Sequence, residues 1–272
     1  MLGRFVCPKT QPRLELEELN SMEEMTGLVV SNYDLVYNAL SFATAALGIS
    51  FVYFLVSRSR VSPAYRSAVT MSAMICGVAA YHYWRIFTNF SGGTWNDGYR
   101  YADWLLTVPL LLAELVVVSG LAKDVARKVA PRLIVAALLM IATGYPGEIA
   151  EHGSTQRNMW FIVSFLFLVY VLYELFAGSV GKALKSQPGE IGRQLNRVRY
   201  VLVGLWLVYP IAYLLGDEKS WLAKQVGLDA AQAATTIQVG YSLADVLAKA
   251  GYGLMIMSIA LARSDAEGYR AA

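Results

Sequence analysis

Residues 230–262 read AAQAATTIQVGYSLADVLAKAGYGLMIMSIALA, a run whose only charged side chains are Asp245 and Lys249. Crossing a hydrocarbon core of about 30 Å takes about 20 mostly apolar residues. This run is longer, so its first residues are assigned to the preceding loop. Six further gaps between charges follow the same pattern. Residues 35–57 carry no charge, residues 67–84 hold only His82, and residues 101–122 are interrupted by Asp103 and Glu114. Residues 133–147 form a short stretch ending at the turn-forming TGYPGE, and residues 158–175 and 200–216 complete the set. Seven crossings predict an all-α membrane protein built as a seven-helix bundle.

Composition agrees. Of 272 residues, 56% are hydrophobic and 16% charged, against about 25% charged in soluble domains, and mean hydropathy is +0.44. The formal net charge of +3 is too small to indicate a nucleic-acid partner. Cys7 and Cys76 lie far apart, so neither a disulfide framework nor a metal site is expected. The opening MLGRFVCPKTQPR lacks the apolar stretch of an export signal.

Lys and Arg gather on the cytoplasmic side of membrane proteins. With the N-terminus extracellular and the C-terminus cytoplasmic, 14 of them lie inside, including Arg58, Lys123, Arg132 and Lys182, and eight lie outside, including Arg85 and Arg157. The expected organisation is an extracellular extension (residues 1–28), a seven-helix domain (29–265) and a cytoplasmic tail (266–272) in the inner cell membrane.

Charges within a span cost about 2.5–3.5 kcal/mol each on insertion scales and mark functional pathways. Glu174 and Asp34 sit at span ends, where snorkelling accounts for them. Lys249 has apolar sequence on both sides and no such escape. Asp245 and Lys249 are spaced i, i+4 and share one helix face; a desolvated lysine also forms Schiff bases with aldehydes. Asp103 and Thr107 repeat that spacing, Arg100 lies one turn before Asp103, and Glu114 lies almost three turns beyond it, about 16 Å along the same stripe. Carboxylates spaced along one face, with a Lys–Asp pair on another helix, read as stations of a proton relay. Trp104, Trp206, Tyr209, Pro210 and Tyr213 suggest a cavity for a flat apolar cofactor, and Pro210 should kink its helix.

RYADWLLTVPLLLAE (residues 100–114), LWLVYPIAY (205–213) and DVLAKAGYG (245–253) resemble the third, sixth and seventh helices of microbial rhodopsins. That resemblance implies all-trans retinal on Lys249 as a protonated Schiff base, with Asp103 as counterion and proton acceptor, Asp245 as second counterion and Arg100 beneath them. It places Trp104, Leu111, Phe161, Ser164, Trp206, Tyr209, Pro210 and Tyr213 around the chromophore. The Asp103–Thr107–Glu114 triad resembles that of outward proton pumps of the proteorhodopsin and xanthorhodopsin type, in which Glu114 would be the cytoplasmic proton donor. His82 matches the histidine that such pumps set against the acceptor. Leu111 matches a position where Leu goes with green absorption.

Some xanthorhodopsin-like pumps have a glycine on the fifth helix that admits a carotenoid antenna. RNMWFIVS aligns Phe161 with it, so no carotenoid partner is expected. Ile237 replaces an outer glutamate of the archaeal pump's proton-release group. The expected function is a light-driven outward proton pump rather than an enzyme, with protons and the lipid bilayer as its partners and self-association into a homo-oligomer. The alternative is a sensory photoreceptor with little pumping, against which Glu114 argues.

Overall fold

The computed structural model describes residues 28–270, and among them every regular element is helical. The first five crossings are α1 (Tyr33–Ser57), α2 (Arg66–Ser91), α3 (Gly98–Val118), α4 (Lys123–Glu148) and α5 (Thr155–Phe176). A short α6 (Ser179–Ser186) leads to the sixth crossing, made of α7 (Gly189–Trp206) and α8 (Val208–Leu215). After the short α9 (Trp221–Val226), the seventh crossing runs through α10 (Ala230–Val246), a π-helical turn (Leu247–Gly251) and α11 (Tyr252–Ala266). The first five crossings pack in sequence order, and the seventh packs against the sixth and returns to the first, closing a ring. Between the fifth and sixth crossings the contact runs through aromatic pairs, Phe161–Tyr213 (5.3 Å) and Phe176–Tyr200 (5.4 Å).

Burial is inverted relative to a water-soluble protein. Phe42, Ile49, Ile162, Leu166 and Ile211 point outward, whereas Arg100, Asp103, Glu114, Asp245 and Lys249 are buried. Lipid can solvate the first group, and only the bundle interior can solvate the second. Five crossings are long and apolar enough to span a membrane by composition alone; α2 and α4 complete the seven through their packing in the ring.

Three sequence expectations change. The seventh helix already begins at Ala230, because Asp229 caps it. The Asp229 side chain accepts from the Gln232 N–H (2.8 Å) and the Gln232 side chain accepts from the Asp229 N–H (3.2 Å), a reciprocal cap that starts the helix at the first residue of the apolar run. The fourth helix ends at TGYPGE, at Glu148, but those residues are helical, with Pro146 inside, and the helix already begins at Lys123, ahead of residue 133. Arg157 Nη1 donates to the carbonyls of Gly147 (3.0 Å) and Glu148 (2.9 Å), so this helix end is satisfied by a neighbouring crossing, as membrane helices containing proline require. Glu174 does not snorkel: it is buried, and its carboxylate accepts from the Ser179 N–H (3.0 Å) at the start of α6.

The break expected from Pro210 is present at Leu207, between α7 and α8. Of the expected segments, residues 1–27 and 271–272 lie outside the described residues.

Candidate functional site

Lys249 sits in the π-helical turn, where the N–H of Tyr252 reaches the carbonyl of Leu247, five residues back. Such single wide turns recur at functional sites. The ammonium is buried and held by two carboxylates, donating to Asp103 Oδ2 at 2.6 Å and lying 2.8 Å from Asp245 Oδ1. The i, i+4 pair read from the sequence therefore forms, and Asp103 joins it from α3.

The two carboxylates differ. Asp245 is saturated: Tyr209 donates at 2.6 Å, Tyr83 at 2.7 Å and Trp104 Nε1 at 3.2 Å. Asp103 keeps Oδ1 buried with no hydrogen-bond partner. Thr107 does not donate to it; its hydroxyl donates to the backbone carbonyl oxygen of Asp103 at 2.9 Å. Arg100 reaches neither carboxylate directly. It donates to the Tyr83 hydroxyl (2.9 Å) and to Gln238 (2.6 Å), so Tyr83 bridges guanidinium and Asp245. Two anions and two cations thus make one connected, electrically balanced cluster, which a low-dielectric interior demands. His82 is half-buried, and its Nδ1 lies 2.9 Å from the carbonyl of Val78 on its own helix, with no hydrogen bond to Asp103.

Glu114 is fully buried on the same helix as Asp103 and beyond it. Ser72 donates to its Oε2 at 2.6 Å, and Oε1 has no partner. Ser72 and Tyr83 are the functional neighbours that sequence reading missed. They lie 11 residues apart on α2, the separation of Asp103 and Glu114 on α3, so matched polar spacing on adjacent crossings is a usable signal.

A cavity of about 110 Å³ opens beside Lys249. Trp104, Leu111, Phe161, Ser164, Trp206, Tyr209, Pro210 and Tyr213 all line it, as the sequence suggests. Met140, Ile141 and Gly144 of α4 form the wall the sequence did not reveal. A Cβ on Gly144 would meet Ser164 Oγ and Tyr101 at 3.3 Å, so glycine keeps that wall open.

The match to known proteins fits this geometry. Residues 36–263 match the model of the bacteriorhodopsin-like protein family. The chain belongs to that family. It is a microbial rhodopsin, a multi-pass protein of the cell membrane and not an enzyme. It is 33% identical over 240 residues to a green-light absorbing proteorhodopsin from Gamma-proteobacterium EBAC31A08, covering 84% of this chain and 88% of the relative. Among solved structures, xanthorhodopsin, a light-driven ion pump with a dual chromophore, superposes with TM-score 0.79 at 39% identity, covering 89% of this chain and 98% of that one. Thermophilic rhodopsin superposes with the same TM-score at 40% identity and the same coverage.

At the Arg100 end, loops are tied by ionic contacts. Glu218 Oε2 lies 2.6 Å from His152 Nδ1. Asp217 accepts from the N–H groups of Gly153 and Lys219, both at 2.9 Å, and lies 3.2 Å from Arg157 Nε. His152, Asp217 and Glu218 bring potential metal-ligand atoms within 4.8 Å of one another, but the Asp217 oxygens already accept these hydrogen bonds, so the contacts form a latch that joins the two loops. Burial pushes the Glu218 carboxyl up, but the hydrogen bond from His152, a backbone hydrogen bond and the charge of His152 together outweigh it and hold Glu218 below its ordinary value. A carboxylate with a lowered pKa stabilises the fold above its unfolded value, about 4.3, and loses that contribution as pH falls through the lowered one. Glu218→Gln should therefore lower the melting temperature at pH 6 more than at pH 3; an equal loss at both would show that the latch is not ionic.

Proposed function

We propose that this rhodopsin pumps protons outward under light, with all-trans retinal bound to Lys249 as a protonated Schiff base. Family membership supports a light-driven ion pump carrying retinal. The observation that carries the finer reading is the Lys249–Asp103 contact of 2.6 Å, with Asp103 Oδ1 buried and free of partners. Lys249, the one buried lysine among the described residues, opens into an apolar, aromatic-lined cavity that fits a long apolar aldehyde, and Asp103 beside it carries fewer protein donors than Asp245.

When bound, retinal supplies the light absorption and the change of shape that alters the proton affinity at Lys249. The protein's groups then divide the work. Asp103 takes the proton, being the carboxylate at the lysine with an unsatisfied oxygen. Asp245 stays charged, because three donors besides Lys249 stabilise its anion. Arg100, tied to the cluster through Tyr83, balances the charge on the side where the proton leaves. Glu114, on α3 at about three turns from Asp103, returns a proton to Lys249 from the opposite side, and Ser72 orients it. The excess of Lys and Arg at the Glu114 end makes that end cytoplasmic and the direction outward. Assembly as a homo-oligomer in the bilayer is part of the same reading. Phe161 stacks on Phe165 (5.8 Å) and Tyr213 (5.3 Å), filling the wall an antenna would need to enter, so retinal acts without a carotenoid.

Cells expressing the protein with retinal should acidify an unbuffered medium on illumination, with an action spectrum following the retinal band alone, and a protonophore should abolish the signal. Lys249→Ala should give no visible pigment and no pH change; a coloured variant, or alkalinisation by the wild type, would overturn the reading. Glu114→Gln should slow reprotonation at Lys249 by about a hundredfold or more, within the range expected of a positioned acid, and leave deprotonation nearly unchanged in flash photolysis. Unchanged reprotonation would assign the donor elsewhere.

A further inference from the structure

The seventh crossing carries Lys249, and the opposite wall of the cavity is built by α4 and α5, which have no extensive packing against that crossing. The cavity therefore has a lysine end and a far end. At the far end Tyr213 stacks on Phe161, and behind Tyr213 lies Arg157, buried, its guanidinium carbon 4.2 Å from the ring centroid. A cation is thus separated from the cavity by one aromatic ring. Its anion, Asp217, lies in the loop after α8 and is itself fixed by the N–H groups of Gly153 and Lys219. Arg157 Nε lies 3.2 Å from Asp217 Oδ2 without the alignment of a hydrogen bond, so the pair is held by charge and by the carbonyls of Gly147 and Glu148 that Arg157 Nη1 engages. Two further features mark this as a built arrangement: the Tyr213 hydroxyl is buried with no partner, and a Cβ on Gly147 would come 2.8 Å from it.

We propose that Arg157 and Asp217 set the colour of the pigment, Arg157 toward shorter and Asp217 toward longer wavelengths. The inference rests on retinal being linked to Lys249 in protonated form, as proposed above. Light absorption by such a chain moves positive charge from the nitrogen toward the far end. A cation behind that end raises the excited state more than the ground state and widens the gap; the anion opposes it. Both side chains are buried, with 2% and 5% of their surface exposed, so the effect is transmitted at low dielectric and mobile ions screen it little. Glu148 adds a second carboxylate from α4 near Arg157, so removing the cation leaves an excess of negative charge there.

The test compares absorption maxima of wild type, Arg157→Gln, Arg157→Lys, Asp217→Asn and the double variant Arg157→Gln/Asp217→Asn. Each is reconstituted with retinal at one alkaline pH, so that the charge of Asp103 is held constant. Arg157→Gln should shift to longer wavelength, Asp217→Asn to shorter wavelength, and the double variant should fall between them. Arg157→Lys, which keeps the charge, should stay near wild type, and raising the salt concentration should move none of the maxima. Thermal melting of the retinal-free proteins reports the structural cost separately, and wavelength shifts should not follow its order. If Arg157→Gln does not fold, a shift to shorter wavelength in Asp217→Asn, with Arg157→Lys staying near wild type, carries the result. Shifts of one sign in Arg157→Gln and Asp217→Asn, or none in either, would overturn the proposal. A wild type that takes up no retinal would instead overturn the functional reading on which it rests.

Discussion

Lys249 puts an ammonium into the middle of an apolar bundle, and much of the surrounding architecture answers that charge. Removing one partner of a buried ion pair costs about 3–5 kcal/mol, because the other is left without compensation. Asp103 and Asp245 supply more negative charge than one lysine needs, and Arg100, joined through Tyr83, restores the balance. The cluster spans α2, α3, α8 and the seventh crossing, so the requirement for neutrality also fixes how these helices sit around one another. Such a set is stable in one protonation pattern and sensitive to any change in it. That sensitivity is what a proton pump uses.

The asymmetry between the carboxylates gives the cluster a direction. Asp245 is surrounded by donors, whereas Asp103 has one oxygen left open and Glu114 is isolated further along the same helix with only Ser72. In the proposed reading, a proton leaving Lys249 meets an acceptor of lower donor saturation on one side and a separate carboxyl on the other. The π-helical turn and the break at Leu207 lie on the two crossings that face this cluster, so irregular backbone is placed where side chains converge and not where lipid would meet unpaired peptide groups.

Much of this was legible in the sequence because membrane insertion penalises every exception. Asp103, Glu114, Asp245 and Lys249 stood out as charges in apolar runs, and helical spacing assigned their faces. The seven crossings followed from charge gaps. What remained hidden depended on partners distant in sequence. Ser72 and Tyr83 look like ordinary residues of α2 until α3 and the seventh crossing lie beside them. Met140 and Gly144 carry no chemical mark of a cavity wall. The helix start at Ala230 and the helical form of TGYPGE are not visible in the apolar pattern, because a capping box sets the first and the Arg157 side chain satisfies the carbonyls at the end of the second. The link from Arg100 to Asp245 through a tyrosine hydroxyl could not be read from the spacing on α3 alone.

The central claim is that Asp103, and not Asp245, receives the proton from Lys249. Infrared difference spectroscopy between the dark pigment and its deprotonated photoproduct detects the carbonyl stretch of a newly protonated carboxyl group. This band should appear in the wild type, change frequency in Asp103→Glu and keep its frequency in Asp245→Glu. A band that moves in Asp245→Glu and stays in place in Asp103→Glu would contradict it.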